Sequence, residues 1–172
     1  MSVTGSDERI ETLLAKQEIR EVVMRYCRGI DRMDEALVRS CYHPDATDEH
    51  GSFSGGLDEF VAFAWKLLRR CTSTMHFIGN MLIEVQDDAA RSESYGIAFH
   101  RSDSSEPEGN LVTGFRFIDR FERRQDGVWR IARRIATTEW VRVDAPEHHW
   151  PMKETLRTGR RDGSDPVYDP IC

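Results

Sequence analysis

Thr74-Met75-His76-Phe77-Ile78-Gly79-Asn80, continued by Met81-Leu82-Ile83-Glu84-Val85, is the stretch on which the fold turns. Before it the apolar residues keep helical spacing. From it onward they alternate as in strands. A histidine set in such an apolar run has two readings. It is an ordinary core or surface histidine whose nitrogens find backbone partners. Or it is a general base, because the unperturbed pKa of imidazole lies nearest neutrality. A histidine base needs a carboxylate to fix its tautomer and stabilise the imidazolium. Tyr26-Cys27-Arg28-Gly29-Ile30-Asp31 offers one, at the end of an amphipathic segment.

Upstream, Ser6 reads as an N-cap with Asp7 and Glu8 in the first turn. Apolar residues follow at Ile10, Leu13 and Leu14, then at Ile19, Val22, Val23, Tyr26, Cys27 and Ile30. The i, i+3, i+4, i+7 spacing predicts one long amphipathic helix. Asp31 stands where the stripe runs out. The helix dipole disfavours a carboxylate there, so Asp31 is either a turn residue or a functional one. Asp34 can cap a short second helix from Glu35 to about Tyr42, broken by His43-Pro44-Asp45-Ala46. Residues 48–53 suggest a short hairpin arm, with Gly51, Gly55 and Gly56 as turn residues. A third helix is expected over Leu57–Arg70.

Four long strands are expected over Thr72–Val85, Arg91–Arg101, Leu111–Arg123 and Val128–Val141. Asp87-Asp88 and Gln125-Asp126-Gly127 read as hairpin turns. Three helices followed by antiparallel strands predict an α+β fold, with helices on one face of a bent sheet. Residues 1–142 are expected to form the domain and 143–172 a C-terminal extension, arm or tail. Alternation along the first long strand puts His76, Ile78, Asn80 and Leu82 on one face. On the next, Ser94, Gly96, Ala98 and His100 share a face, whose small residues would leave pocket space above the sheet.

Composition bounds the function. The 172 residues carry a net charge of −6, with 39% hydrophobic and 31% charged residues. That describes a globular protein and argues against nucleic acid as a partner. The arginine pairs Arg123-Arg124, Arg133-Arg134 and Arg160-Arg161 read as solvated strand faces or tail. No apolar run approaches the roughly 20 residues of a membrane span, and no secretory leader is visible, so a cytoplasmic location is expected. Cys27, Cys41, Cys71 and Cys172 have no metal or redox spacing. His43, Asp45, Asp48 and His50 are ligands by type, but they surround a proline-containing turn, and turn or surface roles are expected. No metal and no cofactor are expected.

Taken together, a helix ending in Tyr-x₄-Asp, a strand with Thr-x-His-x-x-x-Asn and a closing Asp-Gly-x-Trp-x-Ile strand resemble the SnoaL-like branch of the nuclear transport factor 2-like superfamily. The resemblance covers roughly residues 8–142. It implies a cone-shaped α+β barrel with an apolar cavity, and commonly a trimer, with a dimer as the other assembly. It also implies likeness to scytalone dehydratase, bile acid 7α-dehydratase and hexachlorocyclohexane dehydrochlorinase. In those enzymes an Asp at the end of the first helix pairs with a His on the first long strand, the places of Asp31 and His76. His100 matches a second histidine of scytalone dehydratase, where the bile acid enzyme has Asp. Tyr26 matches a tyrosine of the bile acid enzyme.

The implied function is a cofactor-independent lyase, a dehydratase that removes a proton from carbon of a small hydrophobic cyclic substrate. His76, Asp31, His100 and Tyr26 are the catalytic candidates. Tyr42, Asn80 and Arg134 are the substrate-binding candidates. A ketosteroid-type isomerase, and a non-catalytic assembly module such as a ring-hydroxylating dioxygenase β-subunit, are the alternatives on the same fold. His148, His149 and Trp150 are candidate lid residues.

Overall fold

The computed structural model describes residues 3–102, 109–145 and 153–170, with side chains from residue 6 onward. Three helices pack on one curled six-stranded mixed sheet, an α+β architecture. Helix α1 spans Val3–Arg32, α2 Glu35–Ser40 and α3 Leu57–Leu68. The strands are β1 Tyr42–His50, β2 Phe53–Gly56, β3 Cys71–Gln86, β4 Ala89–Ser102, β5 Asn110–Arg123 and β6 Trp129–Asp144. Their order is β2-β1-β6-β5-β4-β3, antiparallel except where β1 runs parallel to β6. Among the described residues no helix is long and apolar enough to cross a membrane.

The stripe of α1 is the spine of the core. Ile19, Val22, Val23, Tyr26, Cys27 and Ile30 are all buried against the sheet. Earlier on the same helix, Ile10, Leu13 and Leu14 are more than half exposed. The helix begins at Val3, so Ser6 lies inside it rather than capping it. At the other end α1 stops abruptly. The amide of Asp34 donates to the carbonyl of Gly29 and that of Met33 to Ile30, at 2.8 and 3.3 Å. Met33 takes the left-handed conformation that this double closure needs, φ 54°, without being glycine. Gly29 lets α2 fold back: a Cβ there would press on Val38. The last turn of α1, which carries Asp31, is thereby pinned in place.

Two expectations about the strands change, the first in β1. His43-Pro44-Asp45-Ala46 lies in a strand rather than in a helix-breaking turn. Proline has no ladder N–H, and the register with β6 slips there, from Tyr42 opposite Ile131 to Thr47 opposite Arg133. Each of these four ligand-type side chains faces a protein group, although Asp48 Oδ1 and His50 Nδ1 are buried without a hydrogen-bond partner. His43 bonds the Glu122 carbonyl, Asp45 pairs with Arg124, Asp48 accepts from Tyr42, and His50 sits 3.4 Å from Asp48. Among the described residues no group of three or more His, Cys, Asp or Glu could hold a metal ion.

The second change is a bulge in β3 between Ile78 and Met81. It shifts parity, so His76 and Ile78 share the inner face with Ile83, while Asn80 and Leu82 turn outward, Leu82 being 71% exposed. Asn80 therefore does not share a face with His76.

The small inner residues of β4 do not leave an empty space either. The ring of Phe115, opposite Gly96 in the register, fills the place of the missing side chain. A Cβ at Gly96 would overlap that ring, which packs at a tilt against Phe117, 4.4 Å between centroids. Gly96→Ala is expected to cost about 1–3 kcal/mol, the usual range for overpacking a filled core, read as a lowered urea midpoint.

A candidate carbon-acid site

Asp31 and His76 meet where the last turn of α1 crosses β3. β3 is an edge strand, so alternate backbone amides point away from β4. The amide of His76 donates to Asp31 Oδ2 at 2.9 Å, and the ring Nδ1 lies 2.7 Å from Oδ1. One carboxylate thus holds both the backbone and the ring of the same histidine. An ionised carboxylate can only accept, so Nδ1 carries a ring proton, and the neutral form of the ring has its lone pair on Nε2. Burial pulls the Asp31 pKa up, but the bonds and charge of His76 outweigh it and hold the carboxyl below its ordinary value.

His100 stands edge-to-face to His76, 5.8 Å between ring centroids, and Phe115 flanks His76 at 6.0 Å. Burial, aided by the neighbouring His76, lowers the His100 pKa to about 4. It is therefore neutral at pH 7, and its Nδ1 is buried without a hydrogen-bond partner.

A cavity of about 460 Å³ opens beside the pair, lined in part by Met24, Cys27, Asp31, His76, Ile78 and Val167. A smaller one, about 180 Å³, lies by His100, Cys71 and Leu67. Val167 and Asp165 belong to the C-terminal extension, so this segment forms part of the wall. It is tied down by Arg32, whose Nη1 donates to the Arg160 carbonyl, and by Tyr168, which reaches Asp34. His148, His149 and Trp150 lie outside the described residues.

The remaining sequence candidates are elsewhere. Tyr26 packs among Tyr42, Phe60 and Phe117, with burial driving its hydroxyl pKa far above normal. Asp31 lies five positions further along the helix, which turns the two side chains roughly 140° apart. Tyr26 does not line the cavity of Asp31. Tyr42 is buried and donates to Asp48 at 2.8 Å.

Arg134, expected on a solvated face, is 0% exposed. It grips Asp119 through Nε and Nη2, both at 2.7 Å, and lies 3.9 Å from the Phe117 ring and 4.1 Å from that of Tyr26. Strand alternation explains this: Arg134 is directly opposite Asp119 on β5 and Asp48 on β1. Its protein partners take the groups that a substrate would need.

Sequence reasoning passed over Arg161. Its Nη1 donates to the carbonyls of Leu68 and Cys71, at 2.9 and 2.5 Å, while Nε and Nη2 are buried without partners. The aperiodic tail gave no signal for it beyond the basic pair Arg160-Arg161.

The neutral state of His100 has a measurable consequence. The unfolded chain protonates this histidine near pH 6.5, the folded chain only near 4. Between those values the unfolded state binds more protons, so stability is full above pH 6.5 and falls as the pH drops toward 4. The expected loss is about 2–3 kcal/mol, and His100→Gln should flatten that limb of a urea-midpoint profile.

Comparison with solved structures gives the same fold. The hexachlorocyclohexane dehydrochlorinase of type 3 from Novosphingobium barchaimii LL02 superimposes with a TM-score of 0.73 at 18% identity, over 84% of this chain and 99% of that one. A putative scytalone dehydratase from Novosphingobium aromaticivorans DSM 12444 gives 0.68 at 18% identity, over 81% and 97%. A Mycobacterium tuberculosis protein of unknown function gives 0.65 at 24% identity, over 75% and 74%. No curated protein matches. Residues 11–135, most of the chain, match the SnoaL-like domain, and the protein belongs to that family.

Proposed function

We propose that the protein is a cofactor-independent carbon–oxygen lyase, a dehydratase acting on a small hydrophobic cyclic substrate within the cone of the sheet. The observation that carries this reading is the double grip of Asp31 on His76 beside a cavity. A carboxylate that fixes both the amide and Nδ1 orients the ring and stabilises the imidazolium it becomes. His76 Nε2 takes a proton from a carbon next to a carbonyl, the C–H pair forms the new double bond, and the C–O bond on the adjacent carbon breaks. The departing oxygen receives the proton and leaves as water. His100, neutral and with an unpartnered nitrogen, hydrogen-bonds the departing hydroxyl or the carbonyl. Desolvation keeps it neutral, so it does not compete as a second cation beside His76. Two of the structural neighbours bear the names of a dehydrochlorinase and a putative dehydratase.

The test is a panel of cyclic β-hydroxy ketones, followed by the absorbance of the conjugated enone. Turnover that depends on His76 supports the reading. Exchange of the α-proton with solvent, with no loss of water from any substrate, would replace it with an isomerase. For the assembly, the outer sheet face offers Phe77, Tyr95, Phe99 and Trp140 as exposed apolar contacts, and we place the interface of a homo-oligomer there, a trimer foremost.

A further inference from the structure

The cavity beside the Asp31–His76 pair takes four of its side chains from one face of α1. Met24, Cys27, Arg28 and Asp31 follow each other at i, i+3, i+4 and i+7, and β3 and the extension supply the other walls. Arg28 therefore stands one helical turn before Asp31 on the same face, with about 5–6 Å between their Cβ atoms. It is exposed, so it stands at the mouth. The other charges of this lining are engaged. Asp31 holds His76, and Asp165 lies 3.7 Å from Arg32 while accepting from the amides of Arg160 and Val167. Arg28 makes no ion pair among the described residues. Its guanidinium lies instead over the ring of Tyr168, 5.2 Å from the centroid, and that ring is tethered through its hydroxyl to Asp34. Stacking occupies the face of a guanidinium and leaves the N–H fork in its plane unused. The helix dipole favours a cation in the last turn, but Arg32 fills that place and Arg28 precedes it.

We propose that Arg28 is a substrate-binding residue that takes a carboxylate at the mouth of this cavity, so that the site accepts a cyclic acid. This deepens the lyase reading and rests on it for chemistry, though not for binding. The guanidinium fork and a planar carboxylate match in geometry, and two parallel bonds orient the bound group. An acid whose head group is held there places its ring among the apolar walls of Met24, Ile78 and Val167, beside His76, which lines the same cavity. The volume of about 460 Å³ suits a ligand of one or two rings. Asp31 alone would repel a bound anion, and a cation one turn away offsets that repulsion. A role limited to holding Tyr168 needs only the face of the Arg28 group.

Benzoate and its neutral isostere benzamide separate these roles without any knowledge of the substrate. Isothermal titration of the full chain is expected to show benzoate bound about tenfold more tightly than benzamide, the lower end of the range for hydrogen bonds to a charged group, because Arg28 is open to solvent. Arg28→Met should abolish that preference and leave benzamide binding as it was, since the change is confined to an exposed head group. Arg28→Lys keeps the charge without the fork and should retain only part of the preference. His76→Ala should leave it in place. Equal binding of benzoate and benzamide by the wild type, or a preference that survives in Arg28→Met, overturns the proposal. Loss of both probes in Arg28→Met also overturns it, because Arg28 would then be a prop for the extension rather than a ligand for the acid. A benzoate preference that needs Arg28, in a protein that dehydrates nothing, would uphold the carboxylate site while refuting the lyase. Dehydration of hydroxy-ketones without that preference would do the reverse, so the two fail separately.

Discussion

Replacing His76 with alanine is expected to lower kcat on a cyclic hydroxy-ketone substrate by about 10²–10⁴-fold, the contribution of a positioned general base. KM should change little, because the ring acts on a proton rather than on the body of the substrate. Asp31→Asn is the sharper experiment. The amide oxygen of Asn must serve the backbone N–H of His76, which can only donate. The amide NH₂ is then left facing Nδ1. That arrangement moves the ring proton to Nε2 and removes the base without removing the histidine. A loss close to that of His76→Ala is therefore expected, with the fold intact. Most of the activity surviving in either variant would take the pair out of the mechanism.

The second large effect concerns stability. Asp119→Ala leaves the Arg134 guanidinium buried between Phe117 and Tyr26 with its bidentate partner gone. Removing one member of a buried ion pair costs about 3–5 kcal/mol, because the remaining charge keeps its desolvation penalty. That is a large part of the 5–15 kcal/mol by which a domain of this kind is stable. The surface pair Arg133–Glu49 is a control on the neighbouring residue: both partners are solvent-exposed, and its loss should cost no more than about 1 kcal/mol. Urea midpoints of Asp119→Ala and Glu49→Ala give the comparison. Similar small losses in both would mean that the buried network is not a stability element.

Periodicity carried most of the architecture. The buried stripe of α1 and the four long strands follow from spacing alone, and Asp126-Gly127 marked the last hairpin, with Gly127 at φ 72°. What spacing could not show was produced by non-local pairing. The parallel contact of β1 with β6 draws a proline-containing segment into the sheet, against its local preference for a turn. The bulge at Ile78–Met81 reversed the parity that had placed Asn80 beside His76. Arg134 read as solvated because its neighbours in sequence are charged. Its burial follows from Asp119 and Asp48 lying opposite on its two sides; the hairpin supplies the first, but the pairing with β1 is one that sequence order does not bring together. Asp31 was noticed because a carboxylate at a helix C-terminus is electrostatically misplaced. The structure gives that misplacement a cause in the amide and ring of His76. Arg161 had no such anomaly, since its neighbours carry no period and its partners are backbone carbonyls.

The central claim is that Asp31 holds His76 with its proton on Nδ1 and Nε2 ready to accept another. Nitrogen-15 NMR of the imidazole side chains at neutral pH reads this directly and needs no substrate. The account predicts a protonated Nδ1 and an unprotonated Nε2 at His76, reversed in Asp31→Asn. A His76 protonated on Nε2 in the wild-type protein would contradict it.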